Sequence, residues 1–233
     1  MTFQELLNQI FPDGNKVVIN DNIVHGEGST ASGTVEIIGT CNNATIGIRE
    51  ILLLSKRFIK VMQKNPGRPI LMLVDNNGQK MALEDELLGL NQYIAHLVKL
   101  QDLARRQGHK VIALVYGNSI AGGFVAFGLC AGQTYALADS STSVMSLPAI
   151  SRVTKLPLEY LEELSRTVPV FAPGVKNFCQ TGGLQGIWEG DLNECLEKAL
   201  KEDQHTDRRA GLGAQRGGRT MAFDVARKIA NDK

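Results

Sequence analysis

The chain has 233 residues, 43% of them hydrophobic and 21% charged, and its 25 Lys and Arg nearly cancel its 24 Asp and Glu. A net charge of +1 leaves no electrostatic case for a nucleic-acid or anionic-membrane partner. No stretch approaches the roughly 18 uninterrupted apolar residues of a membrane span.

A chain of this length suits one domain that buries roughly 70% of its unfolded surface without a disulfide or a metal. Cys41, Cys130, Cys179 and Cys195 form no CxxC pair, and no His stands at ligand spacing from them. No metal site is therefore expected. The opening MTFQELLNQIFPDGNKVV has no basic segment followed by a long apolar core, so it does not read as a signal peptide. The expectation is a cytoplasmic protein with free thiols.

Residues 2–10 place apolar side chains at helical spacing, with Thr2 as the cap, and Pro12-Asp13-Gly14 makes a turn. Residues 1–48 otherwise consist of short β-branched runs, VVIN, IVHG, GTVEIIGT and ATIGI, separated by turn residues. From Arg49 a helix runs to the Asn65-Pro66-Gly67 stop. Pro69–Val74 is a continuous apolar run, the pattern of a strand buried on both faces. Asp75–Gln79 is expected as the loop after it, 82–107 as one long helix and Lys110–Tyr116 as a second buried strand. Gly117–Gly123 is expected as another loop and Gly123–Ala131 as a small apolar helix, with short strands at Thr134–Leu137 and Ser143–Met145. The region 49–150 is thus a repeated βα winding, which makes the fold α/β. Residues 151–233 read as more helical and more polar, with helices at 157–166, 191–203 and 219–231 and a Gly-rich loop at 211–218. With no linker or internal repeat, 1–233 reads as a single domain.

Ligands in parallel α/β folds bind beyond the carboxyl ends of strands. Two glycine-bearing loops stand there. One holds Gly78 and Gln79. The other holds Asn118, Ser119, Ile120, Ala121, Gly122 and Gly123 and feeds into a helix. Bare backbone at a helix start offers unpaired N–H groups and partial positive charge, the ingredients of an oxyanion hole. The same two glycines would also suit plain close packing of a helix on a sheet. Gly117-Asn118-Ser119 begins like a nucleophile elbow, but Ala121 takes the final glycine's place. The only His after Ser119 is His205, in the polar stretch KEDQHTDRR. A serine hydrolase using Ser119 is therefore the weaker alternative. Glu84, Asp85 and Glu86 lie near a helix start, where they complement its dipole. Arg208, Arg209, Arg216 and Arg219 form a basic cluster that either holds an anion or stays solvated.

PILMLVDNNGQ, a long helix, and KVIALVYGNSIAGGFVAFGLCAGQTYALADSSTSVMS together resemble the carboxyltransferase branch of the crotonase superfamily, over roughly residues 35–190. GNSIAGGFVAFGLCAGQTYAL, LPAISRVTKLP and VPVFAPGVKNFCQTGGLQGIWEG resemble the gamma-subunit family of malonate decarboxylases. The carboxyltransferase alpha subunit of biotin-dependent acyl-CoA carboxylases is the next nearest pattern. The resemblance implies a crotonase-like ββα superhelix and a beta subunit as partner. It further implies an acyl-carrier subunit bearing the malonyl thioester on a phosphopantetheine-like, dephospho-CoA-derived group, and an alpha transferase subunit. No cofactor would be bound covalently to this chain, and biotin would not be used. The implied activity is decarboxylation of the malonyl thioester to an acetyl thioester and CO2. Gly122 and Gly123 would be the oxyanion hole, Gly78 and Gln79 would line the pocket, and Asn118–Ala121 would bind substrate.

Overall fold

The computed structural model describes residues 1–169, 172–203, 206–218 and 220–231. Thr2 caps α1 (Phe3–Ile10): its hydroxyl accepts the Glu5 N–H at 3.2 Å, and the Glu5 carboxylate accepts the Thr2 N–H at 2.8 Å. This reciprocal capping box fixes the helix start. β1 (Asn15–Asn20), β2 (Ile23–Thr30) and β3 (Gly33–Thr40) follow as an antiparallel meander. Asp21 and Asn22, at φ 49° and 63°, close the first hairpin with the left-handed pair that strand twist favours.

β4 (Ala44–Ile46) leads to α2 (Ile48–Lys64), β5 (Ile70–Gln79), α3 (Leu83–Leu87), α4 (Leu90–Arg106) and β6 (Val111–Ile120). A short α5 (Ala121–Phe124) runs into a π-helical turn, Val125–Leu129. β7 (Gln133–Leu137) and β8 (Ser141–Ser143) come next. The last part comprises α6 (Leu147–Thr154), α7 (Leu158–Thr167), α8 (Val175–Gln180), β9 (Gly186–Trp188), α9 (Leu192–Lys201), α10 (Arg209–Gln215) and α11 (Thr220–Asn231).

Among the described residues the strands form one sheet in the order β1-β2-β3-β5-β6-β7-β9, parallel from β3 onward. Alternation along the central strands sorts their side chains into two core layers. Met72, Val74, Ala113 and Val115 face α2, α4 and the π turn through Leu54, Phe58, Leu97 and Phe127. Leu71, Leu73, Ile112 and Leu114 face α1 and α9 through Leu7, Ile10, Leu192 and Leu196. Burial on both faces explains the uninterrupted apolar runs.

Several sequence expectations need correction. β5 does not stop at Val74 but continues through Asp75–Gln79, and β6 continues through Gly117–Ile120. Their far halves pair with new neighbours, β4 on β5 and β8 on β6, so polar and glycine residues there remain strand. The expected helix 82–107 is broken at Gly89, which sits at φ 87°, a conformation that an L side chain resists. The expected loop 211–218 is largely α10, and β8 lies two residues earlier than Ser143–Met145.

Candidate active site

β5 and β6 pair in register from Ile70↔Val111 to Val74↔Val115, and then Asn76 pairs with Ser119. β6 thus carries two extra residues opposite Asp75, a bulge of the kind that re-aims chain at a site. The Asp75 carboxylate fills it. One oxygen accepts the Asn118 N–H at 2.9 Å, and the other accepts the Asn43 N–H at 2.9 Å from the turn between β3 and β4. The Asn118 side-chain amide donates to the Asn43 side-chain oxygen at 3.0 Å. Three segments far apart in sequence are thereby tied together beneath the site.

β6 then turns sharply. Ile120 is extended, Ala121 is left-handed at φ 49°, and α5 begins. That conformation costs a non-glycine residue about 1 kcal/mol, so the surrounding contacts must hold it. The turn sits on the end of β5. A Cβ on Gly78 would lie 3.2 Å from the Ile120 carbonyl oxygen and 3.3 Å from the Ala121 methyl. Gly78 itself is at φ 77°, and its N–H donates to the Asn76 side-chain oxygen at 3.1 Å.

The two glycines of α5 differ. Gly122 is half-buried, and its N–H donates to the Gln79 side-chain oxygen at 2.8 Å. Gly123 is buried, and a Cβ there would fall 2.2 Å from the Asn76 side-chain oxygen and 3.0 Å from the Gly78 Cα. Both loops named from the sequence therefore meet, and Gly122 and Gln79 are in direct contact. Gly123 serves the close approach of α5 to β5.

Ser119 is fully buried, and the Asn76 amide donates to its hydroxyl at 3.4 Å. Asn76, also fully buried, is the residue that sequence reasoning missed; its signal was an amide two residues past an apolar run. Of the histidines, His96 is exposed on α4, and His109 is buried with Nδ1 on the Arg68 carbonyl at 2.8 Å. His205 lies outside the described residues. Tyr116 belongs to the core layer on the other face of the sheet from Phe124 and donates to the Thr40 carbonyl at 3.0 Å, so it does not reach the site as a proton source. Burial first, then the nearby Asp75 and Cys41, raises its pKa far above the ordinary phenol value.

The other clusters resolve into structural roles. Asp85 accepts the Ile48 N–H at 3.0 Å and pairs with Lys80 at 2.9 Å, so it caps α2 rather than its own helix. Arg216 donates to the carbonyls of Cys179, Leu184 and Gln185 at 2.8, 2.9 and 2.6 Å, and Arg209 to that of Leu129 at 2.5 Å. These two arginines fasten α10 to the body and are neither free anion ligands nor solvated side chains. Arg208 pairs with Glu202 at 3.7 Å, and Arg219 lies outside the described residues. Among the described residues, no group of three or more His, Cys, Asp or Glu is placed to hold a metal ion. Nor, among the described residues, is any helix long and apolar enough to cross a membrane. Beside the site, Met81, Leu83, Leu87 and Leu88 project an exposed apolar surface, Met81 at 83% exposure.

A parallel sheet with doubled strand ends and a glycine turn seated on the neighbouring strand is the architecture of crotonase-like carboxyltransferases. Solved structures agree. A Pseudomonas malonate decarboxylase hetero-tetramer in complex with coenzyme A superposes with a TM-score of 0.77 at 22% identity, over 96% of this chain and 97% of that one. A transcarboxylase 12S core superposes at 0.69 and 14% identity, over 85% of this chain and 39% of that one. At these identities the likeness establishes the fold. The profile of the malonate decarboxylase gamma subunit matches residues 41–233, and the chain belongs to that family. A malonyl-S-ACP:biotin-protein carboxyltransferase of Malonomonas rubra is 36% identical over 175 residues, 68% of this chain. The chain aligns with 60% of the length of that relative.

Proposed function

We propose that this chain, paired with a beta-type subunit, decarboxylates a malonyl thioester carried on the phosphopantetheine-like group of an acyl-carrier subunit, giving an acetyl thioester and CO2. An alpha transferase subunit would recharge the carrier. The chain acts as one cytoplasmic domain over 1–233, with no covalent cofactor of its own.

The observation that carries the reading is the Gly122 N–H, held on a left-handed Ala121 and aimed at an oxygen 2.8 Å away. When the bond from the thioester's α-carbon to the carboxylate breaks, its electron pair moves into the thioester. CO2 leaves, and negative charge develops on the thioester oxygen. A fixed N–H aimed there stabilises that charge, and one such donor typically contributes about 3–4 kcal/mol. The enolate carbon then takes a proton. This chemistry requires neither a nucleophile nor a metal. Gly122 is the donor, Gly123 permits the close approach of α5 to β5, Gly78 and Gln79 floor the pocket, and Asn118, Ile120 and Ala121 form its rim, with Ser119 buried beneath them. The exposed apolar residues from Met81 to Leu88 suit a partner that closes and dries the pocket, which strengthens every charge interaction inside it.

The test is CO2 release from a malonyl thioester by the co-expressed pair, without biotin. Release that needs both chains supports the proposal. The relative from Malonomonas rubra favours a second reading, carboxyl transfer to a biotin protein. Activity appearing only when a biotin carrier is added would select it. Ser119→Ala should retain activity within about threefold, since the residue is buried; loss of all turnover would instead point to a serine hydrolase.

A further inference from the structure

The oxygen on the Gly122 N–H belongs to the protein itself. The Gln79 side-chain carbonyl stands 2.8 Å from that nitrogen, at the place where the proposed reaction needs the thioester oxygen. A Cβ built on Gly122 would come within 2.8 Å of the same atom, so Gln79 lies directly over the turn. We infer that Gln79 is a resident stand-in for the substrate oxygen, displaced when the thioester binds. The inference rests on the function proposed above.

Three observations support displacement rather than a fixed brace. The other end of the amide is held loosely, since among the described residues Nε2 finds only the Met81 sulfur at 3.9 Å. Met81 is itself mostly in solvent. Gln79 is the last residue of β5 and only half-buried, so its side chain has solvent to swing into. By contrast, the Asn76 oxygen that takes the Gly78 N–H is fully buried and has nowhere to go.

The device has a catalytic consequence. An amide carbonyl and a thioester carbonyl are both neutral acceptors, so exchanging one for the other gains little in the ground state. An enolate oxygen is charged, and hydrogen bonds to charge are roughly twice as strong. Gln79 therefore cancels ground-state binding at this donor and leaves the transition-state gain intact, which is the form of binding that raises turnover. It also satisfies a donor that would otherwise face an empty, drying pocket, where an unpaired polar group is costly.

The experiment compares wild type, Gln79→Ala, Gln79→Asn and Gln79→Glu in the assembled complex. The readouts are KM for the malonyl thioester and calorimetric Kd for the unreactive acetyl thioester. Gln79→Ala and the shorter Gln79→Asn should both lower KM and Kd by about 2- to 10-fold, the worth of one net hydrogen bond. Gln79→Glu places a charged oxygen on the same N–H and should raise both by more than about 10-fold. Unchanged or weaker binding by Gln79→Ala, with wild type still releasing CO2, would overturn this inference alone. No CO2 from wild type would overturn the functional proposal beneath it. If Gln79→Ala failed to assemble, the opposed shifts of Gln79→Asn and Gln79→Glu would still decide the matter.

Discussion

The Asp75 carboxylate occupies the space that a side chain on Gly117 would need: a Cβ there would lie 2.5 Å from its oxygen. The glycine and the acid are two halves of one device that stabilises the β6 bulge. Asp75→Ala leaves the Asn43 and Asn118 N–H groups without their acceptor and should destabilise the fold by about 2–4 kcal/mol. Asp75→Asn should be nearly as damaging, because its NH2 group would face one of those donors. The midpoint of urea unfolding measures both, and a shift below about 0.5 kcal/mol would show the bulge to be held by other contacts.

The two site glycines should respond differently to a methyl group. At position 122 the obstacle is the end of the flexible Gln79 side chain, whereas at 123 it is buried Asn76 and the Gly78 backbone. Gly123→Ala should lose at least about 2 kcal/mol of stability and Gly122→Ala less than about 1. Gly122→Val should abolish CO2 release in a complex that still assembles on gel filtration. Near-normal turnover by that variant would remove Gly122 from the site.

The acid side of the stability profile should depend on Asp85. The Ile48 N–H, then the Lys80 ammonium, hold its carboxyl below the ordinary value of 3.8. A depressed acid stabilises the fold above its unfolded pKa, and that contribution disappears as pH falls through the folded value. Asp85→Asn should therefore be less stable than wild type near pH 7, with the gap closing as pH falls below the ordinary carboxylate value and through the lowered folded one. A gap independent of pH would mean that the ionised form is not what caps α2.

Arg216→Met should free the C-terminal segment while sparing the sheet, because three main-chain carbonyls lose their donor at once. Limited proteolysis should cut after residue 201 several times faster than in wild type, with little change in the unfolding midpoint of the remainder. Unaltered cleavage would show that Arg209 and packing suffice.

The parallel core was legible because strands buried on both faces must be apolar without interruption, as ILMLV and VIALV are. Their extensions were not, since Asp75–Gln79 and Gly117–Ile120 have loop composition and are strand only through β4 and β8, which tertiary folding brings alongside. That the two glycine segments lie against each other could be read from sequence, because glycines after neighbouring buried strands mark close approach. The convergence of Asn43, Asp75 and Asn118 could not, because no local pattern links residues so distant. Nor was the left-handed Ala121 expected, since intrinsic preference argues against alanine there and only packing enforces it.

The packing of α1 against α9 sets a schedule for the nascent chain. Leu6, Leu7 and Ile10 share a core layer with Leu192 and Leu196, and the Asn193 amide donates to the Ile10 carbonyl at 2.9 Å. At a synthesis rate of about 5–20 residues per second, α1 waits roughly 10–40 s for its cover. For that interval the apolar face of α1 stays unsheltered, so a chaperone that holds exposed apolar helices should raise the yield of soluble chain.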